Sequence, residues 1–527
     1  MYRHEMAMNP QVAIAAFWLG TVAVATGVVL HVPMLLMARS MGYRLVGMPM
    51  GSGMLFGMFL IIGGTILSGA ALLDPAPRIP KTEPIAVRRP TVQPIAEPLT
   101  SAHWWLILTL TLALIIDMMK PASLGFVVPG TAREYGLSRA VVAVLPFVAL
   151  TGTALGSYLW GILADRAGRR GAILLAAIMF IGTSICGAMP TFEWNRAMCF
   201  LMGLSAGGLM PVSYTLLAEV VPSRHRGWFL VLLGGVGLVG GYLAAAGSAA
   251  LLEPHFGWRI MWFLGLPTGL LLVLLNRFIP ESPSFLLLRG RITEAEEVMS
   301  RFRMPDPPNR VVGRGSTGGT LFHSPFAKIT LALNGSALAW GLVNYGLLLW
   351  LPADLRSKGV SVAASDALLA EAALLALPSA VVTAWLYHSW STKRTLVATC
   401  ALTVVGLLGI PLIGPVVTLD SHLPILLLAI LMIGSSGVIA VLPPFTSENY
   451  PVEIRGRANG LVAANSKAGG IAAQVVSMGT LVPGLSTAAI ILAVPMGLAA
   501  MAVGRFGRET KARRLEEIDS WSPSLMR

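Results

Sequence analysis

Long apolar runs alternate with short polar breaks along almost the whole 527-residue chain. Each run lasts about 20 residues, the length a helix needs to cross bilayer hydrocarbon. Backbone groups in lipid must be satisfied within the spanning structure, so the runs predict helices. Fourteen spans can be placed, the first two near 12–37 and 52–73. Twelve follow, near 103–128, 140–163, 171–190, 196–220, 228–252, 259–279, 327–351, 364–388, 395–417, 423–446, 458–480 and 485–504. The first run is long, lacks a clear cleavage site and is followed by a second span, so an uncleaved hairpin is expected rather than a leader.

The polar breaks divide the chain. Residues 1–73 form the hairpin and 74–100 a linker rich in proline (Pro75, Pro77, Pro80, Pro84, Pro90, Pro94, Pro98), expected to be extended. Two six-span halves, 101–279 and 327–504, flank a cytoplasmic loop at 280–326, and a cytoplasmic tail covers 505–527. In the loop, Thr293 and Glu296 have capping-box spacing, which predicts a short helix over roughly 293–303 starting at that Thr.

Apolar residues make up 55% of the chain and charged residues 12%, as an integral membrane protein requires. The net charge of +13 raises the question of nucleic acid, but the placement of the charges answers it. Arg and Lys gather in alternate loops: Arg166/Arg169/Arg170, Arg224/Arg226, Arg289 to Arg314, Lys393/Arg394, Arg455/Arg457 and Arg505 to Arg514. By the positive-inside rule these loops and both termini are cytoplasmic, which places the chain in the plasma membrane as a multi-pass protein. Cys186, Cys199 and Cys400 lie in spans without metal spacing and read as small buried residues.

An internal repeat relates the halves. Glu219-Val-Val-Pro222-Ser-Arg-His-Arg226-Gly227 follows the fourth core span, and Glu448-Asn-Tyr-Pro451-Val-Glu-Ile-Arg455-Gly456 follows the tenth, 229 residues later. Two parallel halves related by an axis along the membrane normal produce such a pattern.

Ionisable side chains at membrane depth cost several kcal/mol, so each is a functional candidate. Asp117 and Lys120 share a face of the first core span, where they can pair with each other or meet a proton and a substrate. Pro121 follows and is expected to break the helix there. Glu371 in the eighth span is a second candidate proton carrier, or a residue of the outer mouth. Lys467, with Asn465 beside it, either meets a substrate carboxylate or snorkels. Asn344 and Tyr345 either orient a polar ring substituent or bond between helices. Trp340 and Trp350 read as membrane-interface anchors. Gly203-Leu-Ser205-Ala-Gly207 matches a hydrolase elbow but sits inside an apolar helix, where close packing explains it better. Asn334-Gly-Ser336 matches a glycosylation sequon inside a span. No phosphate-binding Gly-Lys loop and no nucleophile–base set is found, so neither ATP, a cofactor nor enzyme chemistry is expected.

The turn Gly161-Ile-Leu-Ala-Asp165-Arg166-Ala-Gly-Arg169-Arg170 resembles the signature loop between helices 2 and 3 of the major facilitator superfamily. The resemblance covers about 101 to 518 and is nearest the branch of sugar porters, aromatic acid–proton symporters and niacin-type metabolite symporters. Pro280-Glu281-Ser282-Pro283, Trp350-Leu351-Pro352 and Glu509-Thr510-Lys511 carry that nearer likeness. It implies an all-α bundle of two six-helix halves, here with the extra hairpin, working by alternating access. Asp165, Arg166, Arg169, Arg170, Glu219, Arg226, Glu281, Glu448 and Arg455 would then form a cytoplasmic gate that stabilises the outward-open state. Aromatic acid symporters carry Asp-Gly-Phe/Tyr-Asp in the first helix; here Asp117-Met-Met-Lys120 keeps the first acid, with Gly125 and Pro129 at the usual offsets. The change to Lys120 suggests that it receives an anionic substrate. The implied function is proton-coupled uptake of a small organic solute, an aromatic or heteroaromatic carboxylate first and a sugar or polyol second. The rivals are a proton-driven exporter, whose fifth-span Gly-Pro-x-x-Gly-Gly appears here as Val236-Gly237-Leu-Val-Gly240-Gly241 without the Pro, and a non-transporting sensor. Oligomeric state is left open.

Overall fold

The computed structural model describes residues 9–72, 99–304, 321–322, 326–413, 422–450, 452–479 and 483–511. The proline-rich stretch 73–98 and most of the central loop lie outside them. Among the described residues, thirteen helical stretches are long and apolar enough to cross a membrane. The fourteenth expected span is Val452–Met478, also long enough but more polar along its length.

The hairpin pairs α1 (Pro10–Val29) with α2 (Ser52–Leu72). Glycine lets the two backbones touch, as small residues do where lipid offers no hydrophobic drive between helices. A Cβ on Gly27 would stand 2.5 Å from the Gly57 carbonyl oxygen, and one on Gly64 2.5 Å from that of Gly20. Val24 and Ile61 then lie against Gly182 of the core. The intervening loop buries Leu45, whose N–H donates to Glu134 at 2.8 Å. Glu134 also pairs with the fully buried Arg259 at 2.8 Å, so the loop completes the shell of a buried carboxylate.

The first half contains α3 (Ser101–Tyr135), α4 (Val144–Ala167), α5 (Arg169–Gly182, continued as a 3-10 helix over Thr183–Ala188), α6 (Phe192–Ala206, resumed at Leu209–Val220), α7 (Ser223–Phe256) and α8 (Gly265–Leu274). α7 lies along α3 through Gly237, Gly240 and Gly241, which face Leu114, Ile115 and Met118. Gly203 and Gly207 meet the Ala149 and Thr153 carbonyls of α4, the close packing expected of that glycine pair. One expectation is corrected: α3 runs 35 residues through Pro121 and Pro129 without a break. A proline removes one donor and leaves one carbonyl unbonded; packing along α7 keeps the helix continuous on either side.

The second half contains α9 (Ala327–Gly341), α10 (Val362–Ala376), α11 (Thr392–Ile413), α12 (Leu423–Asn449), α13 (Val452–Met478) and α14 (Leu485–Phe506). α9 passes into a π-helical segment, Leu342–Leu348, before Leu351–Ser357 completes the span. The discontinuity expected in the first core helix is therefore found in the seventh. The halves meet where Gly235 of α7 faces Ala380 and Ala440, and where Leu150 of α4 faces Gly470 of α13. The loop helix is Ile292–Arg301; Thr293 lies inside its first turn, and Arg291 at the N-cap ion-pairs with Glu294.

Candidate functional site

A cavity opens between the halves, with about 620 Å³ of empty space, part of it continuous with solvent. Met118, Pro121 and Ala122 of α3 and Leu238, Val239 and Tyr242 of α7 form one wall. Asn344, Tyr345, Leu348 and Leu349 from the α9 span and Met432, Ser435 and Ser436 of α12 form the other. A mostly apolar cleft with a few placed polar groups is the usual form of a small-molecule site.

The π segment shapes the second wall. Wider turns interrupt the regular bonding ladder, and such segments recur at functional sites. Here the Tyr345 carbonyl is met by Nε2 of Gln474 at 2.5 Å, and Gln474 Oε1 accepts from Trp350 Nε1 at 3.1 Å. Tyr345 stands edge-on to Trp340, whose indole donates to the Ser435 carbonyl at 2.9 Å. Trp340 and Trp350 are thus buried supports of the site and not interface anchors. Gln474 was not singled out from the sequence; a glutamine in an apolar helix was its only signal.

The titratable candidates separate. Asp117 is buried, and neither carboxylate oxygen has a hydrogen-bond partner. It forms no ion pair with Lys120 among the described residues. Lys467 donates to the Tyr345 hydroxyl at 3.3 Å, at the cavity wall. Lys120 turns the other way, into the first half. Its ammonium donates to the Phe180 carbonyl at 2.6 Å and to Thr183 Oγ1 at 2.8 Å, and sits 3.8 Å from the centre of the Phe180 ring. It thereby caps α5 where that helix tightens into 3-10. Asn465 Nδ2 donates to Asn334 Oδ1 at 2.8 Å, tying α13 to α9 away from the cavity wall. Asn344 and Tyr345 line the cavity, whereas Glu371 is exposed on α10 and does not.

At the face bearing the basic turns, Arg169 contacts Asp165 at 3.3 Å and Glu219 at 3.4 Å. The Arg169 N–H donates to Glu281 at 2.7 Å, and Arg170 reaches Asn276 at 2.7 Å. Burial holds the Glu281 carboxyl above its usual range despite these backbone donors. Gly168 has φ 98°, and a Cβ there would stand 2.2 Å from Glu281. Arg166 is exposed, its carbonyl accepting from Arg289. In the second half Glu448 accepts from Tyr387 at 2.7 Å and Thr510 at 2.6 Å, and Arg455 Nε donates to the Tyr450 carbonyl at 3.2 Å. The two repeat-related carboxylates, Glu219 and Glu448, therefore have different partners. Glu448 also lies beside Gly227, next to Arg226, so this cluster spans both halves.

A second cluster, not foreseen, lies at the other end of the bundle. Arg356 binds Glu253 of α7 through two 3.0 Å contacts and Asp366 of α10 at 2.8 Å. The three side chains are 8%, 4% and 0% exposed. Nearby, Arg139 lies 4.5 Å from the Trp350 ring, and Gly125 admits the Leu349 carbonyl.

The model of the Major Facilitator Superfamily matches residues 106–474. The niacin transporter NiaP of Acinetobacter baylyi is 29% identical over 80% of this chain and 97% of its own length. The gallate transporter of Pseudomonas putida is 29% identical over 76% of this chain and 92% of its length. The 4-hydroxybenzoate transporter PcaK of Pseudomonas aeruginosa is 32% identical over 53% of this chain and 65% of its length. In fold, the chain is similar to the proton:xylose symporter XylE bound to 6-bromo-6-deoxy-D-glucose, with a TM-score of 0.64 at 20% identity, over 80% of this chain and 99% of that one. The helical bundle, its central cleft and these likenesses lead to one conclusion: the chain belongs to the Major Facilitator Superfamily, as a multi-pass membrane transporter and not an enzyme.

Proposed function

We propose that this transporter takes up a small aromatic or heteroaromatic monocarboxylate together with one proton, across the plasma membrane, with the basic turns and both termini in the cytoplasm. The observation that carries the reading is a pair of membrane-depth charges, one on each half: Asp117, buried on α3 with neither carboxylate oxygen hydrogen-bonded, and Lys467 on α13, whose ammonium donates to Tyr345 at the cavity wall. The relatives named for niacin, gallate and 4-hydroxybenzoate support the substrate class.

The pair gives a coupling rule. Empty, Asp117 and Lys467 sum to zero charge. With a proton on Asp117 and a substrate carboxylate at Lys467, the sum is zero again. Either ligand alone leaves one uncompensated charge in the bundle, which costs several kcal/mol during the crossing. Proton and acid therefore cross together, with no net charge moved. Glu371, exposed on α10, has no part in this scheme, and Lys120 supports the first half instead of meeting substrate.

The test is uptake of labelled nicotinate and 4-hydroxybenzoate into proteoliposomes. Accumulation should follow an imposed pH gradient, collapse with a protonophore, and ignore a potassium diffusion potential. Asp117→Asn should abolish accumulation while sparing exchange. Accumulation driven by an acid lumen would make the protein an exporter. Binding without flux in any preparation would make it a sensor.

A further inference from the structure

We infer that the hydroxyls of Tyr242 and Ser435 form a second polar subsite in the cavity, selecting acids that carry a hydrogen-bonding group away from the carboxylate. This rests on the reading that the cavity takes a monoacid at Lys467.

Both hydroxyl oxygens are buried, belong to cavity-lining residues and have no hydrogen-bond partner. Buried polar atoms are nearly always satisfied by protein, water or ligand, because an unmet one costs free energy. The usual remedy for a serine or threonine in a helix is a bond back to a carbonyl three or four residues earlier. Ser436 donates to Ile433, Ser466 to Ala463 and Ser336 to Ala332 in this way. Ser435 does not, although it is 1% exposed and its own carbonyl is held by the Trp340 indole. Tyr242 is fixed by its ring beside Phe126, with centroids 6.0 Å apart, which leaves the hydroxyl to find a partner elsewhere.

The two subsites enter from different flanks. α7, which bears Tyr242, packs on α10 and α12; α13, which bears Lys467, packs on α4 and α9. Ser435 stands on α12, which packs on α7 and also on α9 and α13, so it lies between the two flanks. A flat ring between the flanks presents its carboxylate to Lys467 and Tyr345 and its substituent to Tyr242 and Ser435. A ring hydroxyl can donate or accept there, and a ring nitrogen can accept from either residue. Sites built to bond a substrate hydroxyl reject the analogue lacking it far more strongly than apolar pockets sort by size.

The experiment compares binding of benzoate and 4-hydroxybenzoate to the purified full-length transporter and to Tyr242→Phe and Ser435→Ala, by thermal shift and by competition against labelled substrate. Wild type should prefer 4-hydroxybenzoate, and each variant should lose on the order of 10-fold for it while benzoate changes little. Tyr242→Phe keeps the ring and its packing, so a change confined to one ligand is not a folding effect. Equal loss for both acids, or no loss for either, overturns the subsite. A wild type that binds both acids equally overturns it while the monoacid reading stands. A wild type that binds neither ends both.

Discussion

A lysine within a bilayer needs a counter-ion or a set of acceptors, and the two lysines of this core found different ones. Lys120 is held by a carbonyl, a threonine hydroxyl and an aromatic face, all within the first half. Lys467, on the other half, donates to a tyrosine hydroxyl at the cavity wall. Lys120→Met should therefore lower the melting temperature by several degrees and leave KM nearly unchanged, since hydrogen bonds to a charged group are worth about 1.5–3 kcal/mol each. Lys467→Met should do the reverse: KM for aromatic acids rises at least about 10-fold with little loss of stability. Measuring both quantities on both variants separates the roles. The sequence exposed both lysines and Asp117 as costly residues at depth. It could not say which way each pointed. An i, i+3 spacing brings two side chains to one face without making them a pair, and Lys120 is drawn off by acceptors 60 residues away.

At the scale of the element, the informative helix is the seventh core span. Its π segment carries Asn344 and Tyr345 at the cavity, and Gln474 of α13 donates to the Tyr345 carbonyl. Gln474→Leu removes the donor to that carbonyl and leaves the buried Trp350 indole without its acceptor, at a cost of about 1–3 kcal/mol for the indole. The expected result is a lower melting temperature together with a raised KM, because Tyr345 shifts with its backbone. A fall in stability with unchanged KM would show that the segment's geometry does not depend on this residue. No proline marks the segment from Leu342 to Leu348, so the sequence pointed instead to Pro121, in a helix that stays regular. α13 is the mirror case. It is the most polar of the long helices by composition, and Asn459, Asn465, Lys467 and Gln474 bond to neighbouring helices of the bundle.

Over the whole molecule, two polar clusters bracket the cavity, one at the basic turns and one around Arg356. The second joins the halves by a buried ion triad in which two carboxylates share one guanidinium. Removing one partner of a buried pair typically costs about 3–5 kcal/mol. A latch weakened by that amount shifts a two-state equilibrium by about 10²–10⁴-fold. Arg356→Ala should therefore favour the conformation open at the Arg356 face, read as faster labelling of single cysteines placed along the cavity from that side, with slower net uptake. Unchanged labelling would mean that the triad does not hold the face closed. The apolar rhythm, the Glu-x-x-Pro-x-x-x-Arg-Gly repeat and the charged turn after α4 determined the helical class, the two-half plan and the family, because each is a constraint written within a short stretch and imposed by lipid. Tertiary structure alone decided that Lys467 and not Lys120 meets Tyr345 of the cavity wall, that Glu371 is exposed, and that Glu253, Arg356 and Asp366 meet. Those outcomes depend on which residues from distant helices arrive at the same place, and a helix's own periodicity carries no record of its neighbours.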